Sequence, residues 1–215
     1  MAGFGTEPRG WSWQASLFDA GVEPSVPADM PAPQRIRLDA TSWVELLPGW
    51  VRGADALLAA LAEHAPWEPQ RTRVMWDNAV AEPRIVAHWS SATSLPAVVG
   101  RMRRQLSAWY RTEFDRVGVN LYRDGRDSVA WHGDRVRLSH RNPLVATVSL
   151  GDRRRFLLRP RGGGRSVLSL RLGAGDLLTM GGACQHDYEH CVPKVAGAGA
   201  RMSLTFRHSG PAGHR

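Results

Sequence analysis

The sequence predicts an α+β domain, two amphipathic helices followed by a β-sandwich or double-sheet jelly roll. Three observations carry this. In ADALLAALAEH, Leu57, Leu58, Leu61 and Ala62 lie at helical spacing, and Trp67-Glu68-Pro69 is expected to end that helix. A second helix is expected from about Leu95 to Phe114, where Val98, Met102, Leu106 and Tyr110 recur every fourth residue. After residue 116 the period changes. VGVNLYR, SVAWH, LVATVSLG, RRFLLRPR, SVLSLRL, DLLTM, HCVP and RMSLTFR are each apolar or alternating, and most are bounded by Gly, Pro, Asp or Asn. Eight short strands so closely spaced read as two packed sheets, with the helices on one sheet face.

The rest of the chain fits around these elements. Residues 1–34 are rich in Gly, Pro, Ala and Ser, lack periodicity, and are expected to form a poorly ordered leader. Residues 35–210 are expected to form a single domain. A chain of 215 residues is long enough for one substantial core. No apolar run is long enough to cross a membrane, and MAGFGTEPRGWSW has no signal-peptide h-region. Cys184 and Cys191 are the only cysteines and give no disulfide framework, so a cytoplasmic location and a monomer are expected. Lys+Arg number 28 against 20 Asp+Glu, a net charge of +8. Every base but Lys194 is arginine. GC-rich coding accounts for arginine over lysine. The excess of bases over acids points to an anionic partner.

Four constellations carry chemistry. His132-Gly133-Asp134 ends a predicted strand, where alternation brings the imidazole and the carboxylate to one face. Such a pair is two-thirds of a facial triad for ferrous iron, or simply a hydrogen-bonded pair near a turn. His190 begins the apolar segment CVP and is the candidate third ligand, whereas His186 reads as a loop residue. Arg201 and Arg207 are separated by an even interval and face one way, with Ser203 and Thr205 between them. A small dicarboxylate would satisfy both guanidinium groups, or they form surface pairs on a solvated face. Asn120 and Tyr122 likewise share a face and could bind the same ligand. The segment RPRGGGRS (159–166) lacks the phosphate-loop spacing and reads as a hairpin turn, whose arginines could touch a nucleic-acid backbone or stay solvated.

In series, these pieces resemble the AlkB family of iron(II)- and 2-oxoglutarate-dependent dioxygenases. The order is N-L-Y (120–122), H-G-D (132–134), L-V-A-T-V-S-L-G (144–151), H-C-V-P-K (190–194) and R-M-S-L-T-F-R (201–207). The family pattern is N-x-Y, H-x-D, a Val/Ser-rich strand ending in Leu-Gly, a lone His, and R-x-N-L-T-F-R or a close variant. The resemblance covers about residues 70–208 and implies a double-stranded β-helix, the jelly-roll fold of that family. It implies that His132, Asp134 and His190 hold Fe(II). It implies that Arg201 and Arg207 pair with the carboxylates of 2-oxoglutarate, assisted by Asn120 and Tyr122, and that dioxygen is the co-substrate.

The implied reaction is oxidative dealkylation of an N-alkylated nucleobase in DNA or RNA, with 2-oxoglutarate converted to succinate and carbon dioxide. A base in a duplex is out of reach, so it must be flipped or come from a single strand. The family's lid corresponds to residues 73–89, which makes Trp76 and Trp89 stacking candidates and Arg84 a pocket or phosphate residue. Arg135 is a further phosphate candidate. Many relatives carry an acid two residues after the metal-binding Asp, where this chain has Val136. The lid is also short, which favours single-stranded substrates. Cys191 reads as a packing residue. Two other readings are the same chemistry on a protein side chain or small alkylated metabolite, and a non-catalytic basic jelly-roll module that binds nucleic acid.

Overall fold

The computed structural model describes residues 21–75, 78–89, 95–134 and 142–208. Its elements in chain order are β1 (Gln34–Arg37), β2 (Ser42–Leu47), α1 (Ala54–His64), β3 (Thr72–Met75), β4 (Asn78–Ala81), β5 (Ile85–Trp89), α2 (Ala97–Tyr110), β6 (Arg116–Tyr122), β7 (Val129–His132), β8 (Val145–Gly151), β9 (Arg154–Pro160), β10 (Leu168–Leu172), β11 (Leu177–Gly182), α3 (Cys184–Asp187), β12 (Tyr188–Val192) and β13 (Arg201–Arg207). The two long helices and all eight strands expected after residue 116 are present.

Two antiparallel sheets face each other. The larger runs β1-β2-β11-β8-β13-β6-β5 and the smaller β10-β9-β12-β7, with β3 and β4 forming a separate hairpin. Alternation along the central strands sorts their side chains. Met202, Leu204 and Phe206 of β13, with Val117, Val119 and Leu121 of β6 and Val148 and Leu150 of β8, join the helices in one core. Leu57, Leu58 and Leu61 of α1 and Val98, Val99, Met102 and Leu106 of α2 supply the other half of that core. Each such buried side chain stabilises the fold by roughly 1.5–3 kcal/mol relative to an exposed one. The opposite face of the same strands lines the space between the sheets. There Tyr122, Val145, Leu178 and Met180 meet Phe156, Leu158 and Val192 of the smaller sheet in a second, smaller core. Both helices therefore cover one face of the larger sheet, as the sequence leads one to expect.

The helix ends differ from expectation for local reasons. α1 stops at His64 because Pro66 holds Ala65 extended (φ −68°, ψ 146°). α2 stops at Tyr110, where Arg111 turns left-handed (φ 50°) and donates to Ala108 O while Thr112 donates to Ser107 O. Three further findings depart from the sequence reading. β1 and β2 extend the larger sheet, and residues 85–89 are not lid but the edge strand β5, paired to β6. Residues 21–33 of the expected leader are tied to the body. Ser25 bridges Arg52, Gln105 donates to Pro27 O and Ala28 O, and Val26 and Met30 pack on the main core. Residues 1–20 of that leader lie outside the described residues.

Candidate active site

The two strands that carry the histidines run side by side in the smaller sheet. β12 pairs with β7 so that His190 stands directly opposite His132, with ring centroids 4.3 Å apart. Asp134 lies just past the end of β7. One ligand atom from each of His132, Asp134 and His190 falls within 4.8 Å of the others, and this is the metal-capable group found among the described residues. His190 Nε2 is 3.8 Å from Asp134 Oδ2. His132 Nδ1 lies 2.9 Å from Ala130 O, so Nδ1 carries the proton and Nε2 is left as the acceptor nitrogen. Phe156 stacks on the His190 ring at 5.2 Å and fixes its plane.

Asp134 is gripped on one side only. Arg207 donates to Oδ1 through Nε (3.0 Å) and Nη2 (2.6 Å). Oδ2 is buried and has no hydrogen-bond partner among the described residues, with His190 Nε2 facing it at 3.8 Å. Burial opposes ionisation of Asp134, but Arg207, His190 and His132 together outweigh it and hold the carboxyl below the ordinary range. Burial also pushes the His190 imidazole down to about 4, against the pull of Asp134, so it is neutral at neutral pH. A carboxylate with one orphaned oxygen beside two neutral-capable imidazoles is the donor set that suits Fe(II). A buried unpaired oxygen costs stability unless something binds it.

A second unsatisfied group lies on the larger sheet. Arg201, Ser203, Thr205 and Arg207 share the inner face of β13, opposite Tyr122, Asn120, Gly118 and Arg116 of β6. Arg201 is 1% exposed; its Nε donates to Ser149 Oγ (3.1 Å), and its Nη1 is buried with no partner among the described residues. Desolvation lowers its pKa, with Tyr122 opposing the shift, yet a guanidinium remains charged. Its cation lies 5.2 Å from the Tyr122 ring, and Arg154 lies 5.9 Å from the same ring. Asn120 is half-buried opposite Ser203 on this face. A buried cation with spare donors in such a place fits a ligand carboxylate. Among the described residues Arg207 contacts Asp134, a partner the sequence reading did not name.

The substrate candidates fare less well. Trp89 pairs with Val117 and points to the helix side, 7% exposed in the main core. It cannot stack on a base there; the ring that β5 presents to the inner side is His88, opposite Gly118. Arg84 precedes Ile85, which pairs with Leu121, so it sits at the Arg201 end of the sheet. Six residues of strand, about 20 Å, separate that end from the Arg207–Asp134 contact. There it lies 3.9 Å from Glu82. Trp76, Arg135 and Val136 lie outside the described residues. His186 sits in the short helix α3. Cys191 points away from His190, and burial raises its thiol to about 11, which leaves an inert packing residue.

Three residues of this neighbourhood escaped the sequence reading. Ser149 is in phase with Thr147 on β8, which alternation in LVATVSLG could have shown. Arg154 is in phase with the buried Phe156 and Leu158, and clamps Asp124 O, Asp127 O and Pro193 O. Gln185 is 1% exposed and accepts a hydrogen bond from the Asp134 backbone N–H (3.1 Å).

The family model for the 2OG-Fe(II) oxygenase superfamily matches residues 58–207. The chain belongs to that superfamily. Within it, the chain is similar to AlkB homologues. It is 33% identical over 189 residues to the alpha-ketoglutarate-dependent dioxygenase alkB homolog 3 of Bos taurus and of Homo sapiens, covering 77% of this chain and 66% of theirs. It is 28% identical over 187 residues to the DNA oxidative demethylase ALKBH2 of Arabidopsis thaliana, covering 68% of this chain and 59% of that one. The chain thus spans just under two thirds of the length of these relatives. The solved structure of OsALKBH1 superposes with a TM-score of 0.59 at 15% identity, covering 81% of this chain and all of that one, and supports the jelly-roll fold. The cofactors of this oxygenase are Fe(II), 2-oxoglutarate and dioxygen. No described helix is long and apolar enough to cross a membrane.

Proposed function

We propose that this oxygenase removes alkyl groups oxidatively from N-alkylated nucleobases in DNA or RNA, within a single domain that takes in residues 21–34 beside the expected 35–210. The observation that carries the reading is the convergence of ligand atoms of His132, Asp134 and His190 within 4.8 Å, with Asp134 Oδ2 buried and without a hydrogen-bond partner among the described residues. The alkB homolog 3 and ALKBH2 relatives supply the substrate class, and the net charge of +8 agrees with it. Bound iron with 2-oxoglutarate supplies the oxidising chemistry on dioxygen.

The residues of this chain do the rest. His132, His190 and Asp134 hold the metal, each fixed by its own support: Ala130 O, Phe156 and Arg207. Arg201, its guanidinium held by Ser149, would take one carboxylate of 2-oxoglutarate. Asn120 and Tyr122 line the same inner face and orient the cofactor. Arg207 orients Asp134 and has its remaining nitrogen for the second carboxylate. Leu158, Val192 and Met180 keep the space between the sheets dry. Arg116 and His88 lie on the inner face at the Arg207 end, suited to a phosphate and a base. A single-stranded substrate, a monomeric enzyme and a cytoplasmic setting complete the proposal, the last resting on two buried free cysteines.

The test is a mass-spectrometric screen of alkylated single- and double-stranded oligonucleotides with Fe(II), 2-oxoglutarate and ascorbate. Loss of the alkyl mass with matching succinate is expected. Succinate formation with no oligonucleotide change would shift the substrate to a protein side chain or a small metabolite.

A further inference from the structure

The glycine hairpin RPRGGGRS is built to do something other than reach solvent. Gly162, Gly163 and Gly164 all take positive φ (87°, 117° and 92°), which turns β9 into β10 and leaves Arg161 at the base of the turn. Arg161 then binds all three last carbonyls of α3: its backbone N–H donates to Asp187 O (2.8 Å), Nε to His186 O (2.5 Å) and Nη2 to Gln185 O (2.8 Å). α3 leads without a break into β12 and so to His190. Its Gln185 side chain, fully buried, accepts the Asp134 N–H through Oε1 and donates to Met180 Sδ through Nε2 (3.5 Å). Gly133, the residue between His132 and Asp134, has no side chain because Arg161 Nη2 occupies the place a Cβ would take.

We infer that Arg161 and Gln185 form a clamp that positions the metal ligands: it fixes the backbone of Asp134 and the approach to His190. This rests on the metal-site reading above. Both are positioning residues that touch neither metal nor substrate. Arg207 fixes Oδ1 of the Asp134 carboxylate from the larger sheet, and the clamp fixes its main chain from the smaller one. The carboxylate is thereby held with Oδ2 toward the histidines. Outer partners of this kind commonly change metal affinity 10–100-fold.

The experiment titrates Mn(II) alone into the metal-free full chain by electron paramagnetic resonance, and follows thermal unfolding of the same samples without metal. Gln185→Met is expected to weaken Mn(II) binding about 10–100-fold at an unchanged metal-free melting point. Arg161→Met, which removes the contacts to His186 O and Gln185 O, and Gly133→Ala, whose Cβ displaces the Arg161 guanidinium and meets Gln185 O, are expected to weaken it in the same direction while folding normally. Binding within twofold of the parent in all three variants overturns the clamp. So does a loss of affinity that only tracks a fall in metal-free melting point. His132→Ala separates the two ideas. If it abolishes Mn(II) binding while the clamp variants bind normally, the clamp alone is wrong; if it leaves binding intact, the metal site is wrong and the clamp falls with it.

Discussion

Arg201 and His190 are the two residues whose charge states the fold constrains most. Arg201 is a buried cation with a donor to spare and no acid paired with it among the described residues, so removing it should act oppositely on cofactor binding and on stability. Arg201→Met should weaken 2-oxoglutarate binding about 10–100-fold, the equivalent of the roughly 1.5–3 kcal/mol of a charge-assisted hydrogen bond. It should also raise the melting point of the ligand-free protein, because an apolar chain replaces an unpaired buried charge. Calorimetric titration and thermal melts read the two effects separately. His190 makes a pH prediction. Its folded pKa of about 4 lies below the ordinary 6.5, so the unfolded chain binds the proton more readily. The stability it contributes is full above pH 6.5 and is lost as pH falls from there toward 4. Asp134, also lowered, acts in a window that begins only below the ordinary carboxylate value of 3.8. Metal-free melting points should therefore drop between pH 6.5 and 4. His190→Leu should flatten that drop, and an unaltered slope in the variant would show that another group is responsible.

At the scale of elements, the test case is β5. Trp89 faces the helices, so Trp89→Ala should cost about 3–5 kcal/mol of folding free energy in denaturant titrations. The surviving folded protein should keep its relative rates on different alkylated bases; altered preference would put Trp89 back in the substrate pocket. The error over β5 has a physical source. IVAHW is buried on both faces for most of its length, which erases alternation, and it follows a hairpin whose neighbours suggested a lid. SWVELL of β2 is patterned just as poorly. RMSLTFR and VGVNLYR, by contrast, have strict alternation between Gly- and Pro-rich turns, so their strands, faces and paired residues were readable directly. The histidines and Asp134 were legible because sequence order and strand parity bring them together. Gln185 and Arg161 were not, since their roles depend on where a four-residue helix comes to rest against a distant hairpin. The sequence leaves Arg161 as either a nucleic-acid backbone contact or a solvated turn residue; the fold turns it onto α3.

At the scale of the whole molecule, the charge and the two cores set the remaining expectations. A net charge of +8 predicts that binding to an alkylated single-stranded oligonucleotide weakens with salt. If about three phosphates are held, the logarithmic slope is near −2 in a filter-binding titration. A flat dependence would remove nucleic acid as the partner. The larger sheet is a shared wall between the helix-covered core and the chemical chamber, and β13 lies inside it between β8 and β6. Seven consecutive residues there are read twice: the even-numbered side chains build the hydrophobic interior and the odd-numbered ones furnish the cofactor chamber. Losing a single codon within that stretch would flip every side chain on one side of the loss, driving an arginine into the oily interior and apolar residues into the chamber. In an insertion–deletion library, β13 should therefore admit no change of length, whereas conservative apolar exchanges at its even-numbered positions should be accepted. The turns that flank it should accept both.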